Sequence, residues 1–316
     1  MTTDAPARPR VISLLPAATE IVAALGALDQ LAGVTHECDH PPEVARLPHV
    51  TSSAIDRDAS SGAIDAEVRA LAATGSAVFT LDAALVAALE PRVLLTQSVC
   101  EVCALPEREV DRAVAALDGA TVVVSLGGTT LDGVWDDVRR VAAAIGRRAE
   151  AEQLIASSDA RIRRVHETLK TARAPRPRVA VLEWLDPPFV AGHWSPELVR
   201  RAGGVDVLAQ PGMHSVQVDV DAVRAADPAV LLVAPCGFDV GRAAREARAL
   251  LDTPPWRWAR GRETWALDGN ALTSRPGPRL VDAIETMAAI FAPSLFEAPS
   301  PNYARAITSG DASRDA

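Results

Sequence analysis

Cys38, Cys100, Cys103 and Cys236 each stand a few residues beyond a short apolar run, and His36 and His40 flank the first of them. Thiolates and imidazoles are the donors that zinc and iron prefer, and a Cys-x-x-Cys pair such as Cys100 and Cys103 can hold one ion from a single turn. Cys38 with Cys236 or His36 would complete a tetrahedral set for zinc or iron. A plainer reading stays open beside it, because a free cysteine also packs as a small buried hydrophobe. A redox role for the Cys-x-x-Cys is the third alternative.

A second group lies in Pro187-Pro188-Phe189-Val190-Ala191-Gly192-His193-Trp194. Two prolines stiffen this loop, Gly192 permits an unusual backbone angle, and Phe189 and Trp194 offer flat apolar faces beside the His193 imidazole. Such a loop suits a large flat ligand with a metal centre or a polar edge. Catalytic patterns are weaker. Ser13, Ser98 and Ser215 lack a nucleophile elbow, and Gly127-Gly128 has neither the spacing nor the lysine of a phosphate loop. Glu37 and Asp39 read as residues that cap or hydrogen-bond their own loop, with paired acids across the pocket as the alternative.

The elements that must position these residues alternate. Residues 10–15 read as a strand that breaks at Pro16 into a helix, residues 31–35 as a second strand, and 93–96 and 121–125 as further strands, with helices over 63–73 and 81–89. From 130 to 173 the chain has no proline and carries apolar residues at helical spacing, with an interruption placed at Gly146. The breaker Ala174-Pro175-Arg176-Pro177 ends it. A second αβ series follows, with strands at 178–184, 230–233 and 264–267 and helices at 195–202, 220–226, 243–251 and 279–291. Buried parallel strands read as such apolar runs, and open α/β sheets bind ligands beyond the carboxyl ends of their strands. The expected fold class is therefore α/β: an N-terminal lobe over 10–129, a connecting helix over 130–174, a C-terminal lobe over 175–295 and a flexible tail over 296–316. Glu90-Pro91 and Asp227-Pro228 precede strands in both halves, each followed by a cysteine loop, which hints at two similar lobes.

Composition narrows the partners. The 316 residues are 48% hydrophobic and 23% charged, and the net charge of −9 would repel a nucleic-acid backbone. No segment approaches the ~20 consecutive apolar residues of a membrane span. The polar start has no secretory pattern, so a cytoplasmic location is expected, or a periplasmic or surface-anchored one if a leader has been trimmed.

The chain resembles the cobalamin-binding proteins of ABC importers, within the helical-backbone class of substrate-binding proteins that also includes ferric-siderophore and haem binders. Four segments carry the resemblance: Ser13-Leu14-Leu15-Pro16-Ala17-Ala18-Thr19-Glu20, Cys38-Asp39-His40-Pro41-Pro42, Asp186-Pro187-Pro188-Phe189-Val190-Ala191-Gly192 and Ser274-Arg275-Pro276-Gly277-Pro278-Arg279. The resemblance implies two Rossmann-like lobes joined by a long rigid helix, a ligand cleft between the lobes and a permease as partner. It also implies a non-enzymatic function, the binding of a corrinoid. Pro16, Ala17, Ala18, Cys38, His40, Phe189 and Arg275 fall in its pocket segments. Trp184, Phe189, Trp194 and Phe238 would cover apolar faces, Gln97 and Arg275 would meet polar edges, and His193 or a cysteine would approach cobalt. The alternatives are a haem or ferric-chelate binder, or a thiol- or metal-dependent enzyme built on Cys38, Cys100 and Cys103.

Overall fold

The computed structural model describes residues 10–99, 107–115, 117 and 121–307. The chain forms two compact α/β units, Met1–Asp58 with Ala66–Ser157 and Ala59–Asp65 with Ser158–Ala316. The first unit is built on four parallel strands in the order Leu31–Val34, Val11–Ser13, Val93–Gln97 and Val122–Leu126. Val11, Ile12, Leu94 and Leu95 are fully or almost fully buried, as expected of strands covered on both faces. The chain leaves Val11–Ser13 toward one neighbour and returns on its other side, so the switch point lies between Val11–Ser13 and Val93–Gln97. Pro16 opens the helix Pro16–Ala24 there, at a position where its missing N–H costs nothing.

The proline-free stretch is a helix pair. Leu131–Ile145 ends at Gly146, whose φ of 73° is left-handed and suits a residue without Cβ. Arg148–Ala172 then carries the chain from the first unit into the second. In the second unit Arg161 fastens this helix to Leu280–Phe291 through Asp282 (2.6 Å) and Glu285 (2.5 Å). In the first unit Asp137, on the earlier helix and 1% exposed, accepts from the backbone N–H groups of Gly127 (3.1 Å) and Gly128 (2.9 Å) and pairs with Arg140. One carboxylate thus satisfies the turn that follows Val122–Leu126.

The second unit has a parallel centre of Arg178–Leu185, Val230–Val233 and Glu263–Leu267, with Val205–Asp206 also parallel to the first of these. Antiparallel strands flank it: Pro188–Val190 and Val216–Gln217 on one side, Ala304–Ala306 on the other. That last strand corrects the expected flexible tail. Ala304 and Ile307 are buried, and the Ile307 N–H donates to Thr264 O at 2.8 Å, so apolar burial and an unpaired sheet edge together hold residues 304–307. The acid-proline echo is also structural. Glu90 (φ 46°) and Asp227 (φ 45°) each stop a short helix, Ala83–Ala88 or Val220–Ala225, in a left-handed conformation two residues past its end.

Removing the Asp137 carboxylate leaves the buried Gly128 N–H without its acceptor. Asp137→Ala should lower stability by about 2–3 kcal/mol in urea unfolding. A change below about 0.5 kcal/mol, the range of an ordinary surface substitution, would show that the turn does not depend on this carboxylate.

Candidate functional site

In the second unit the three central parallel strands end on one side, and the loops leaving them interlock. Trp184 lies opposite Phe189 in the register of Arg178–Leu185 with Pro188–Val190, so the two side chains share a face. The Phe238 ring meets Trp184 edge-on with centroids 5.5 Å apart, and the Arg242 guanidinium sits 3.5 Å above the Phe238 centroid. Phe238 is 2% exposed and backs this platform, while Trp184 and Phe189 are half-buried. The Trp184 Nε1 atom is buried with no hydrogen-bond partner among the described residues, an unmet donor of the kind that marks ligand or water positions.

Polar groups border the aromatics. The Asn270 N–H donates to Phe238 O at 3.1 Å, and Arg275 Nη2 donates to Asn270 Oδ1 at 2.8 Å. Asp268 caps Gly269–Leu272 by accepting from the Ala271 N–H, and burial raises its pKa above the usual carboxylate value. Cys236, half-buried, donates its N–H to Glu183 O at 3.0 Å.

The loop that carries His193 and Trp194 divides into two roles. Trp194 is 7% exposed and its Nε1 donates to Thr273 O at 2.7 Å, so its indole is packed in the fold rather than offered as a face. His193 is half-buried, with a left-handed φ of 52°. Its backbone is bonded on both sides, from its own N–H to Met213 O (2.5 Å) and from the Gly212 N–H to its carbonyl (2.8 Å). Gly192 makes this approach possible: a Cβ there would lie 2.4 Å from Met213 O. Burial, then the neighbouring His214, lowers the His193 pKa, and its Nε2 has no partner among the described residues.

In the first unit the anticipated residues stand at the carboxyl ends of the parallel strands. Pro16 is half-buried, Ala17 and Ala18 are buried, Gln97 is half-buried and His40 is exposed. The thiol cluster finds no support. Cys38 is 5% exposed, and its sulfur lies 3.0 Å from Thr19 Oγ1, which gives it a hydroxyl partner inside the core. His36 Nδ1 is held by Thr51 Oγ1 at 2.7 Å, and burial lowers its pKa. Among the described residues no group of three or more His, Cys, Asp or Glu is placed to hold a metal ion. Cys100 and Cys103 lie outside the described residues.

Sequence reasoning missed residues 59–65, which belong to the second unit although they precede it by about a hundred positions. Ser61 donates to Glu246 Oε2 at 3.0 Å, Arg242 Nη2 donates to Ala59 O at 2.5 Å, and Ile64 packs on the cluster that contains Phe238. Arg242 and His214 were missed as well. Nothing local distinguishes either from other surface residues; their neighbours come from distant loops.

Trp194→Ala should cost about 3–5 kcal/mol of stability, the usual penalty for emptying a large aromatic site. Chemical denaturation checks this, and a loss under about 1 kcal/mol would return Trp194 to the list of ligand-facing side chains.

The sequence model of the family described as periplasmic binding protein matches residues 11–257. The vitamin B12-binding protein of Vibrio cholerae serotype O1 is 25% identical over 281 residues, covering 87% of this chain and 86% of that protein. Among solved structures, a periplasmic heme-binding protein from Pseudomonas aeruginosa superposes with a TM-score of 0.72 at 22% identity, covering 96% of this chain and 99% of that one. The periplasmic vitamin B12 binding protein of Vibrio cholerae gives 0.63 at 20% identity, covering 91% and 98%. These structures share the fold. The expected cytoplasmic location has no support in this company, and among the described residues no helix is long and apolar enough to cross a membrane. With a match over 247 of 316 positions, the chain belongs to the periplasmic binding protein family, whose members bind solutes and are not enzymes.

Proposed function

We propose that this chain is the substrate-binding component of an ABC importer, that it takes a corrinoid outside the cytoplasmic membrane, and that it delivers the ligand to a permease. The observation that carries the reading is the aromatic platform of Trp184 and Phe189 at the carboxyl ends of the second unit's parallel strands, backed by Phe238. A corrin ring is broad and apolar on its faces and carries amides around its rim. The Trp184 Nε1 donor, without a partner among the described residues, and the half-buried Asn270 amide, held by the buried Arg275, supply polar groups suited to that rim. Pro16, His40 and Gln97, at the strand ends of the first unit, are proposed as a further contact set, with the start of the helix at Pro16–Ala18 shaping it. The vitamin B12-binding relative, matched across 87% of this chain, supports the same ligand class.

Haem or a ferric chelate is the second reading. It is favoured by the similarity to a heme-binding protein and by the His193 imidazole, whose Nε2 has no partner among the described residues.

Titration of the purified chain with cyanocobalamin, cobinamide and haemin, followed by absorption spectroscopy and calorimetry, separates the readings. A corrinoid should bind one to one with a Kd near or below about 1 μM, equivalent to roughly −8 kcal/mol. Phe189→Ala and Arg275→Gln should each weaken it by about 1–3 kcal/mol. Haemin binding in preference to both corrinoids would select the second reading, and absence of binding by all three would refute both.

A further inference from the structure

We infer that His193 and His214 form a two-imidazole site for a divalent first-row transition-metal ion, Cu²⁺ or Ni²⁺ foremost, whose remaining positions stay open to water or a small chelator. The two rings lie with centroids 5.3 Å apart and planes at 86°. Two imidazoles bound to one ion through bonds of about 2.1 Å in neighbouring positions, at about 90–110°, place their ring centres roughly 5 Å apart, so the observed spacing fits a shared ion. His214 is exposed, so an ion between the two rings can be reached from solvent.

The backbone around the pair is built to hold it. His193 adopts a left-handed φ of 52°, a conformation a histidine rarely takes, and the backbone bonds between His193 and residues 212–213 hold it there. Ser215 Oγ accepts from the Gly192 N–H at 3.0 Å and lies 3.5 Å from His193 Nδ1. A hydroxyl oxygen has two lone pairs, so Oγ can also take the Nδ1 proton. That tautomer leaves Nε2 as a bare lone pair, as a metal-bound histidine requires. Nε2 is buried and has no partner among the described residues.

The geometry argues against a macrocycle at this pair. Haem or corrin occupies the four equatorial positions of its metal and leaves two axial sites on opposite faces, whereas ring centres 5.3 Å apart suit two neighbouring positions on one ion. A free ion or an open chelate accepts such a pair, and copper and nickel stand high in affinity for nitrogen donors. This site is therefore independent of the corrinoid reading.

The test is calorimetric titration of the full chain with Cu²⁺ and Ni²⁺, with paramagnetic resonance of the copper complex counting nitrogen donors. The wild type should bind one equivalent and show two nitrogens. His214→Gln, and His193→Asn chosen because asparagine tolerates the left-handed backbone, should each weaken binding at least ~10-fold, since even outer-shell partners of a metal are worth that much. Each should also remove one nitrogen from the spectrum. His166→Gln, at a histidine 64% exposed and elsewhere in the fold, should change neither. Circular dichroism melts of the variants verify that they are folded. A wild type with no stoichiometric binding, or a folded His214→Gln protein that binds as the wild type does, would overturn the assignment.

Discussion

Loops that leave buried parallel strands carry backbone groups which neither the sheet nor bulk water satisfies, and in the second unit each such loop is bonded to another. Cys236 N–H reaches Glu183 O, Asn270 N–H reaches Phe238 O, and Trp194 Nε1 reaches Thr273 O. Hydrogen bonds of this kind contribute about 1 kcal/mol each when made and cost more when a buried partner is orphaned. The loops therefore stand or fall together, and the positions of Trp184, Phe189, Arg275 and His193 are set by bonds made by their neighbours. The first unit uses the same device once, where the Asp137 carboxylate collects the amides of Gly127 and Gly128.

This division separates supporting side chains from those that can meet a ligand. Trp194, Phe238, Ala17 and Ala18 are buried and hold the frame, whereas Trp184, Phe189, Pro16 and His40 retain exposed surface. The segment 59–65 adds a third tier. Its bonds to Arg242 and Glu246 and the packing of Ile64 tie a piece of chain from the first half to the face that carries Phe238. Arg242 joins the two, with its guanidinium over the Phe238 ring and one nitrogen on Ala59 O.

The parallel strands were legible because buried β runs such as Val11–Ser13, Val93–Gln97 and Val230–Val233 are short, apolar and bounded by turn residues. The helix break at Gly146 was legible for the same kind of local reason, a glycine after the last apolar position. The Phe189 loop and Arg275, which the resemblance to corrinoid binders singles out, follow the carboxyl ends of Arg178–Leu185 and Glu263–Leu267. What sequence could not show was which way a side chain turns: Trp194 reads as an aromatic face but packs inward, with its Nε1 on Thr273 O. Nor could it place residues 59–65 in the second unit or bring His214 to His193. Those contacts depend on tertiary closure between segments that share no pattern.

The central claim is that a corrinoid is held by the loops at the carboxyl ends of the second unit's strands, and hydrogen exchange with and without cobinamide tests it most directly. Amides of residues 184–194 and 268–275 should exchange more slowly in the bound state, while the edge strand Ala304–Ala306, bonded to Glu263–Leu267 on the far side of the sheet, should be unchanged. Saturating cobinamide that protects none of the residues in 184–194 and 268–275 would contradict the account.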